Sequence, residues 1–430
     1  MTSSTVRIQP FAALHFDPDR VESLDRVIAP PYDLIDSALQ DRLYERSPSS
    51  IVRLELSRSS DPYADAATTL ARWRADGTLV RWPKPALYFY TQDFDHAGGK
   101  LTRSGLIARV QLEEFAAGRI LPHERTFPKA KEDRLRLLEA THTNISSIFG
   151  LYPSSDTGLA RLLAQVARRE PNLSATDDLG IRNEIRVIDR PDEIAIAQRT
   201  LEVPRILIAD GHHRYETALE YRRRQRAIAE TSSDTQPFDY AMMTLVAFDD
   251  PGLVILPTHR LVRRIGDEAL AAFVERIAED FACEDFDDRD HFLATLAARD
   301  RGAIGVALKS DHILRIVTLK RPSALAAALP DAPIAVRELD VSILHGLIFD
   351  RICGITADEV RKGGNLEYTI DAPGALAEVS AGKADGAFLM NPPTVADIER
   401  VSSAGATMPE KSTYFFPKLI TGLVMNPLES

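Results

Sequence analysis

Ile206-Leu-Ile-Ala-Asp-Gly-His-His-Arg-Tyr215 is an apolar run that ends in four chemically capable side chains and one glycine. The pattern predicts a strand that turns at Gly211 into the start of a helix. Backbone N–H groups at a helix start, together with an arginine and imidazoles, suit an anion such as phosphate. The stretch therefore predicts a phosphate or nucleotide site. The predicted contacts are Gly211, His212, His213 and Arg214.

Asp210 stands between the predicted strand and the glycine, and two roles are open for it. Its carboxylate can orient an imidazole or hold Mg²⁺. Alternatively it caps the helix, and the histidines lie on the surface. A cap needs one residue, whereas this motif offers four, so we favour the functional interpretation.

The composition is that of a soluble globular protein of 430 residues, with 44% hydrophobic and 27% charged residues, enough for two or three domains. Lys and Arg number 52 against 63 Asp and Glu, so the net charge is −11 and we expect no nucleic-acid partner. The basic run at 222–226 is interpreted as a solvated helix face. The sequence has no long apolar run and no signal-peptide core, so we expect no membrane span. Its only cysteines are Cys283 and Cys353, and we expect a cytoplasmic location.

Strand and helix patterns alternate irregularly along the chain, which predicts an α+β fold with a mixed sheet, hairpins and flanking helices. Hairpin turns are predicted at Asp95-His-Ala-Gly-Gly99 and Asp249-Asp-Pro-Gly252. We expect a main body over residues 1–264. A C-terminal α/β portion is expected over 265–430, with a tail that returns to the cleft of the main body.

His123 and Glu124 form a second candidate group, on a loop that follows Pro122. A carboxylate beside an imidazole can act as a general base or hold a metal. A loop salt bridge of Glu124 with Arg125 or Lys129 is the structural alternative. Arg134, on the helix that follows, can reach the same cleft or lie on an exposed helix face.

Lys411-Ser412-Thr413 matches the end of a phosphate-binding loop in composition, but the glycines that would precede it are missing, so a P-loop is excluded. A lysine followed by two hydroxyls can still contact a phosphate or a metal. Asn391-Pro-Pro-Thr394 is either a ligand-facing loop or a turn in which Thr394 caps a helix. Thr258-His-Arg260 is either part of a site or structural.

The chain resembles a bacterial and archaeal family known as domain of unknown function 1015. The resemblance extends from residue 29 to 418 and implies no established reaction. The residues that carry it are Ala29-Pro-Pro-Tyr-Asp33, Pro122-His-Glu-Arg-Thr126, Asp210-Gly-His-His-Arg214, Met408-Pro-Glu-Lys-Ser-Thr413 and Phe416-Pro-Lys418.

The strand–Asp-Gly-His-His-Arg–helix pattern also resembles the motif of the ParB/sulfiredoxin-like superfamily, which includes a free-serine kinase. That resemblance implies that residues 211–214 contact nucleotide phosphates; Lys411, Ser412 and Thr413 are further predicted contacts because of their own side chains. The resemblance also implies a glutamate as the base toward a substrate hydroxyl, for which Glu124 is the candidate. Asp210 is the alternative proton acceptor, and His123 is the third predicted catalytic residue. The implied cofactors are Mg²⁺, held by Asp210, and ATP or ADP, with CTP as a further candidate.

Three functional hypotheses follow from these residues. The first is a nucleotide-dependent small-molecule phosphotransferase, a kinase acting on a free hydroxyl compound such as serine. The second is a nucleotide-binding regulatory protein with little or no turnover. The third is a metal-dependent phosphohydrolase built on His123, Glu124, Asp210 and His212. Each has a small-molecule ligand, and the oligomeric state is left open.

Overall fold

The computed structural model describes residues 5–126, 128–153, 157–228, 235–299, 301–311, 313–356, 359–360 and 365–429. It divides into two compact units. The first unit contains residues 1–254 and 417–430, so the C-terminal end of the chain belongs with its N-terminal half. The second unit contains residues 255–416.

The strands alternate with helices along both units. In chain order the strands are β1 (Ile8–Gln9), β2 (Leu14–Phe16), β3 (Leu79–Arg81), β4 (Leu87–His96), β5 (Gly99–Gln111), β6 (Ile120–Leu121), β7 (Thr143–Asn144), β8 (Ile148–Tyr152), β9 (Leu173–Thr176), β10 (Arg182–Ile188), β11 (Ile206–Asp210), β12 (Tyr240–Ala247), β13 (Val254–Leu256), β14 (His259–Val262), β15 (Phe281–Phe286), β16 (Ala303–Leu308), β17 (Leu314–Leu319), β18 (Leu366–Thr369), β19 (Gly386–Leu389), β20 (Tyr414–Phe416) and β21 (Asn426–Pro427).

The helices of the first unit include two long ones that pack together, α5 and α8. In chain order they are α1 (Leu24–Val27), α2 (Ser37–Arg46), α3 (Val52–Glu55), α4 (Pro62–Ala75), α5 (Pro128–Thr141), α6 (Thr157–Val166), α7 (Pro191–Thr200) and α8 (His212–Ile228). Short 3₁₀ turns cover Tyr32–Leu34, Phe115–Ala117 and Pro237–Asp239.

Within the described residues, the main sheet of the first unit has nine strands, in the order β6-β11-β8-β12-β5-β4-β10-β9 with β1 beside β5. β11 is parallel to β6 and antiparallel to β8, and β12 is parallel to β8 but antiparallel to β5, so the sheet is mixed. The pairs β2–β3 and β7–β21 complete the unit.

The end of β11 is irregular at the point where the motif begins. Ile208 pairs with Gly150 and Asp210 pairs with Phe149, so one extra residue is accommodated on β11. Such a bulge turns the side chains that follow it relative to the regular pleat. It therefore helps to fix the direction in which Asp210 leaves the sheet.

Helix α8 packs on the sheet through one face. His212, Tyr215 and Leu219 follow the spacing of three and four residues that places side chains on one side of a helix, and all three are buried. The Tyr215 hydroxyl donates to the Glu113 carbonyl at 2.9 Å and accepts from the Glu113 N–H at 3.0 Å. The start of α8 is therefore fixed against the sheet.

The second unit has its own sheet, in the order β15-β17-β16-β19-β14-β18, with antiparallel pairs. Its helices lie at Asp267–Ala271, Phe273–Asp280, Arg289–Ala297, Pro322–Ala328, Ile334–Arg337, Asp340–Ile343, Ala372–Ser380 and Val395–Ser403, and a π-helix covers Leu344–Cys353. Thr394 caps the last of these helices, as one of its two predicted roles required.

The chain is thus α+β, with mixed strand directions and helices at the margins of the sheets, which confirms the predicted fold class. Each unit has a separate buried core, as expected from the length of the chain. In the part of the chain that the structure describes, no helix combines the length and the apolar character that crossing a bilayer requires.

Candidate functional site

The candidate site lies where β11 turns into α8. Gly211 joins the two elements with φ +90°, a conformation that glycine adopts without strain. A Cβ at this position would lie 2.9 Å from Nη2 of Arg214. The guanidinium therefore folds back over the glycine, and the motif needs the missing side chain as well as the backbone freedom.

Asp210 is placed between two cations. The Gly211 N–H donates to its Oδ1 at 2.9 Å, and its Oδ2 lies 3.4 Å from Nζ of Lys418 and 4.0 Å from Nη2 of Arg214. Burial alone would raise the pKa of Asp210, but the charges of Lys418 and Arg214 outweigh it and hold the pKa well below its usual range. Asp210 is therefore ionised and charge-paired at neutral pH.

Arg214 retains capacity for another acceptor. Its Nη1 donates to the Ser147 carbonyl, while its Nε is buried and has no hydrogen-bond partner among the described residues. Its contact with Asp210 is longer than the 2.7–2.9 Å typical of a close charge-assisted hydrogen bond. A guanidinium held in this way is suited to the oxygens of a phosphate or carboxylate.

The two histidines of the site contact each other. His123 is fully buried, and its Nδ1 lies 2.7 Å from the Ile208 carbonyl, to which it donates. Its backbone N–H donates to Nε2 of His212 at 3.2 Å, and the two rings meet edge to face. Because β6 is the parallel neighbour of β11, His123, which lies two residues after the end of β6, reaches the motif.

Both imidazoles are neutral at physiological pH. Burial lowers the pKa of His123 to about 4, and burial, together with the nearby ring of His123, lowers the pKa of His212 well below its ordinary value. His123 and His212 each use a ring nitrogen within the protein. They therefore hold the loop after β6 against the motif, and their ring contacts favour a positioning role.

The loop after His123 is fixed to α8. The Thr126 hydroxyl donates to Oε1 of Glu216 at 2.8 Å, and Nζ of Lys131 lies 2.7 Å from Oε2 of the same carboxylate. Glu124 and His213 are half-buried at this end of the sheet. The structure thus brings the predicted Glu124 loop beside the motif helix, and the catalytic role of Glu124 stays a prediction.

A pocket of about 440 Å³, including its opening to solvent, adjoins the motif. Arg214 lines it together with Glu55 of α3 and Arg134 of α5. Apolar side chains from α5, β8 and β12 form much of the remaining wall. Arg214 therefore belongs both to the strand–helix corner and to the wall of this pocket.

Arg134 and Glu55 form a buried ion pair in this pocket. Nη1 of Arg134 lies 2.8 Å from Oε2 of Glu55, Nη2 contacts Asp133, and the guanidinium lies 4.2 Å above the ring of Tyr32. Arg134 is buried, so the interpretation as an exposed helix face is wrong. Tyr32 comes from the Ala29–Asp33 landmark, which thereby contacts Arg134.

Glu55 has one oxygen to spare. The residue is 4% exposed, and its Oε1 has no hydrogen-bond partner among the described residues. A buried carboxylate oxygen without a donor is costly, and a ligand hydroxyl or ammonium group can satisfy it. Sequence reasoning missed Glu55 because it ends a short helix with no recognisable motif.

Lys418 was named as a family landmark but not as a site residue. It follows Pro417, whose carbonyl accepts from Arg103, a fully buried arginine that also donates to Gln92. These contacts hold the C-terminal segment in the first unit and place its lysine beside Asp210. The sequence Phe416-Pro-Lys418 gives no indication of this partner.

Lys411, Ser412 and Thr413 belong to the second unit. Lys411 is exposed and has φ +53°, whereas Ser412 is buried and its hydroxyl donates to the Pro409 carbonyl at 2.5 Å. Ser412 lines a pocket with Thr258 and Arg260 of the same unit. The predicted phosphate role of these three residues stays a prediction.

A metal would have few protein ligands in the described part of the chain, where no group of three or more His, Cys, Asp or Glu side chains has the geometry to hold an ion. Mg²⁺ is commonly held by one or two carboxylates together with substrate phosphates, and the role of Asp210 in holding it stays a prediction. A cluster of His123 and His212 does not fit, because both rings bond to the protein itself.

The family model described as "Protein of unknown function (DUF1015)" matches residues 8–342, most of the chain. The chain belongs to this family, as its landmark motifs predict. The family description carries no reaction. Among curated proteins, none matches the chain.

Solved structures similar to the chain include three that are distant from it. A conserved hypothetical protein from Pyrococcus furiosus has a TM-score of 0.33 and 12% identity, covering 71% of this chain and 93% of its own. A free serine kinase in complex with AMP has a TM-score of 0.34, 12% identity and coverages of 71% and 89%. SbnI from Staphylococcus aureus, truncated at its C-terminus, has a TM-score of 0.35, 12% identity and coverages of 75% and 87%.

Proposed function

We propose that the first unit transfers a phosphate group from a nucleotide to the hydroxyl of a small molecule. The observation that carries the proposal is the position of Arg214. Its guanidinium covers Gly211 at the helix start and also lines the pocket that contains the unsatisfied carboxylate oxygen of Glu55. One residue thus joins a place suited to phosphate to a place suited to a hydroxyl.

The phosphate side of the site is the strand–helix corner. The first N–H groups of α8 have no partner within the helix, and the helix dipole favours negative charge there. Arg214 and Lys418 add two cations next to these groups. Asp210 would hold Mg²⁺, whose charge neutralises that of the phosphates, and the resemblance makes ATP and ADP the first donors to test, with CTP third.

The acceptor side is the pocket beside the corner. Arg134 fixes Oε2 of Glu55, which leaves Oε1 to accept the hydrogen bond of a substrate hydroxyl. In the transfer, the hydroxyl oxygen bonds to phosphorus as the bond between phosphorus and the nucleotide breaks, and the hydroxyl proton passes to a carboxylate. Glu55 is favoured for this role because it lines the pocket with Arg214, and Glu124 is the alternative.

The other residues have supporting roles in this proposal. Asp210 is a weak base, because Lys418 and Arg214 stabilise its ionised form. His123 is neutral and hydrogen-bonded to Ile208, so it positions the loop that carries Glu124. Catalysis would therefore depend mainly on positioning and on neutralising phosphate charge.

The test is product analysis with purified full-length protein, ATP or ADP, Mg²⁺ and a panel of small hydroxyl compounds that includes free serine. Phosphorylated product that depends on both the nucleotide and the hydroxyl compound supports the kinase. Nucleotide binding without product supports the regulatory protein instead. Metal-dependent release of inorganic phosphate from the nucleotide, without a phosphorylated hydroxyl compound, supports the hydrolase.

Two conservative variants then identify the base. We expect Glu55→Gln to lose turnover by a factor of about 10²–10⁴, as for removal of a general base, while nucleotide binding is retained. Glu124→Gln, assayed in parallel, should retain turnover. The reverse result would assign the proton transfer to Glu124. Circular dichroism of both variants verifies that they are folded.

A further inference from the structure

A second pocket lies within the second unit and brings together segments that are far apart in the sequence. It has a volume of about 500 Å³ including its opening, and its wall includes Thr258, Arg260, Asn391, Met408 and Ser412. These residues come from three separate stretches of the sequence, 258–260, 391–394 and 408–413. The proposed phosphotransferase does not use any of them.

Arg260 is a buried cation for which the described residues supply no counter-ion. Its side chain is among the largest fully buried ones, at 1% exposure. Nη1 donates to the Thr258 carbonyl and Nη2 to the Lys411 carbonyl at 3.1 Å. Among the described residues no carboxylate lies within ion-pair distance of the guanidinium, and Nε has no hydrogen-bond partner.

Thr258 supplies a second unsatisfied donor at the same wall. It is 6% exposed, and its Oγ1 has no hydrogen-bond partner among the residues that the structure describes. Ser412 is buried alongside and is fixed by its bond to the Pro409 carbonyl. A buried hydroxyl and a buried guanidinium N–H, both without acceptors, favour a ligand that brings oxygen acceptors.

The acidic residues of the wall are engaged elsewhere. Asp397 pairs with Arg301 and Arg400, and Arg400 also pairs with Glu338. Asp340 accepts from the Gly302 N–H at 2.9 Å, and burial raises its pKa. None of these carboxylates therefore neutralises Arg260.

We infer that this pocket binds a small oxyanion, a carboxylate or a phosphate, with the Nε of Arg260 and the hydroxyl of Thr258 as its donors. An unpaired buried charge is expensive, and an anion removes most of that cost. The guanidinium is planar and held by two carbonyls, so it is pre-organised to meet such a group. The residues of this pocket all belong to the second unit, and the inference is independent of the proposed function.

The Met408–Thr413 landmark contributes to the same pocket. Met408 and Ser412 form part of the wall, and the Lys411 carbonyl fixes the guanidinium of Arg260. The landmark thus shapes the pocket through its backbone and its buried residues. Asn391 is likewise held in place, because its amide donates to the carbonyls of Leu296 and Arg299.

The test follows the arginine Nε–Hε resonances of the full chain by NMR while inorganic phosphate or sodium acetate is added. The Arg214→Met background removes phosphate bound at the first unit, so only the second site reports. The resonance lost in Arg260→Lys is assigned to Arg260. We expect it to shift saturably with at least one of the two anions, and the more effective anion identifies the ligand group.

Thr258→Val supplies the decisive variant, because it keeps the shape of the side chain and removes the donor. We expect the anion to bind about tenfold more weakly, the usual effect of losing a hydrogen bond to a charged group. Thr68→Val, on an exposed helix face of the first unit, should leave the affinity unchanged. If Thr258→Val is unfolded by circular dichroism, Thr258→Ala, which also removes the hydroxyl, replaces it with the same expected weakening. The absence of a saturable shift with either anion, or equal affinity in folded Thr258→Val, overturns the inference.

Discussion

Arg134 in the first unit and Arg260 in the second are both buried guanidiniums that line a pocket, but their surroundings differ. Arg134 contacts the carboxylates of Glu55 and Asp133 and lies over Tyr32. Arg260 donates to backbone carbonyls and has no carboxylate partner among the described residues.

The pKa values of Arg134 and Arg260 are shifted in opposite directions. Burial alone would lower the pKa of Arg134, but Glu55 and Asp133 outweigh it and raise the pKa above its usual value. Burial lowers the pKa of Arg260 to about 10, with only a weak opposing effect of Tyr368. A paired arginine is part of the protein's own structure, whereas an unpaired one is available to an anion from outside.

The largest expected effect separates the two arginines by stability. Arg134→Met should lower the free energy of unfolding by about 3–5 kcal/mol, because it leaves the buried carboxylate of Glu55 unpaired. Arg260→Met should cost about 1–2 kcal/mol, since it removes hydrogen bonds to carbonyls but strands no charge. Urea denaturation followed by circular dichroism measures both. Equal losses would remove the distinction between a paired and an unpaired arginine.

A second prediction concerns two buried histidines, His123 in the first unit and His259 in the second. Burial lowers the pKa of His123 and of His259 to about 4, against about 6.5 in an unfolded chain. Between these values the unfolded state binds more protons, so the free energy of unfolding falls as the pH is lowered from 6.5 to 4. Each histidine contributes up to about 1.4 kcal/mol per pH unit there, and about 3 kcal/mol in all.

The measurement is the free energy of unfolding as a function of pH for the wild type, His123→Asn and His259→Asn. Each variant should show a shallower slope between pH 4 and 6.5 than the wild type. Below pH 4 the slopes should converge, because the histidine is protonated in both states. Identical slopes throughout would mean that these imidazoles titrate in the folded protein as they do in an unfolded chain.

The smallest of these effects tests the corner. Gly211→Ala combines φ +90° with a Cβ 2.9 Å from Nη2 of Arg214, so we expect a loss of about 1–3 kcal/mol together with weaker nucleotide binding. Gly354→Ala is the matched control, since Gly354 has φ +70° but no atom within 4 Å of its would-be Cβ. It should cost about 1 kcal/mol and leave nucleotide affinity unchanged. Equal nucleotide affinity in both variants would show that the position of Arg214 does not matter.

The sequence was sufficient for those parts of the site that are contiguous. Residues 210–214 reveal a strand, a turn that needs glycine and a helix start, because all three depend on local backbone preferences. Periodicity and turn residues also predict the α+β class. The chemistry of the corner could therefore be predicted before its geometry was known.

The remaining parts depend on sheet order and could not be predicted in this way. His123 meets His212 because β6 pairs with β11, and Lys418 meets Asp210 because the end of the chain returns to the first unit. Glu55 has no local motif at all. Arg134 fits an exposed and a buried helix face equally well, and only its partner decides between them.

Calorimetric titration tests whether Arg214 binds the phosphates of a nucleotide. ADP or ATP with Mg²⁺ is titrated into the wild type, Arg214→Met and Arg223→Met, the last an exposed arginine of the same helix. We predict that Arg214→Met weakens binding by about 1.5–3 kcal/mol, at least tenfold, while Arg223→Met matches the wild type. Unchanged nucleotide affinity in folded Arg214→Met would show that Arg214 does not bind the nucleotide phosphates.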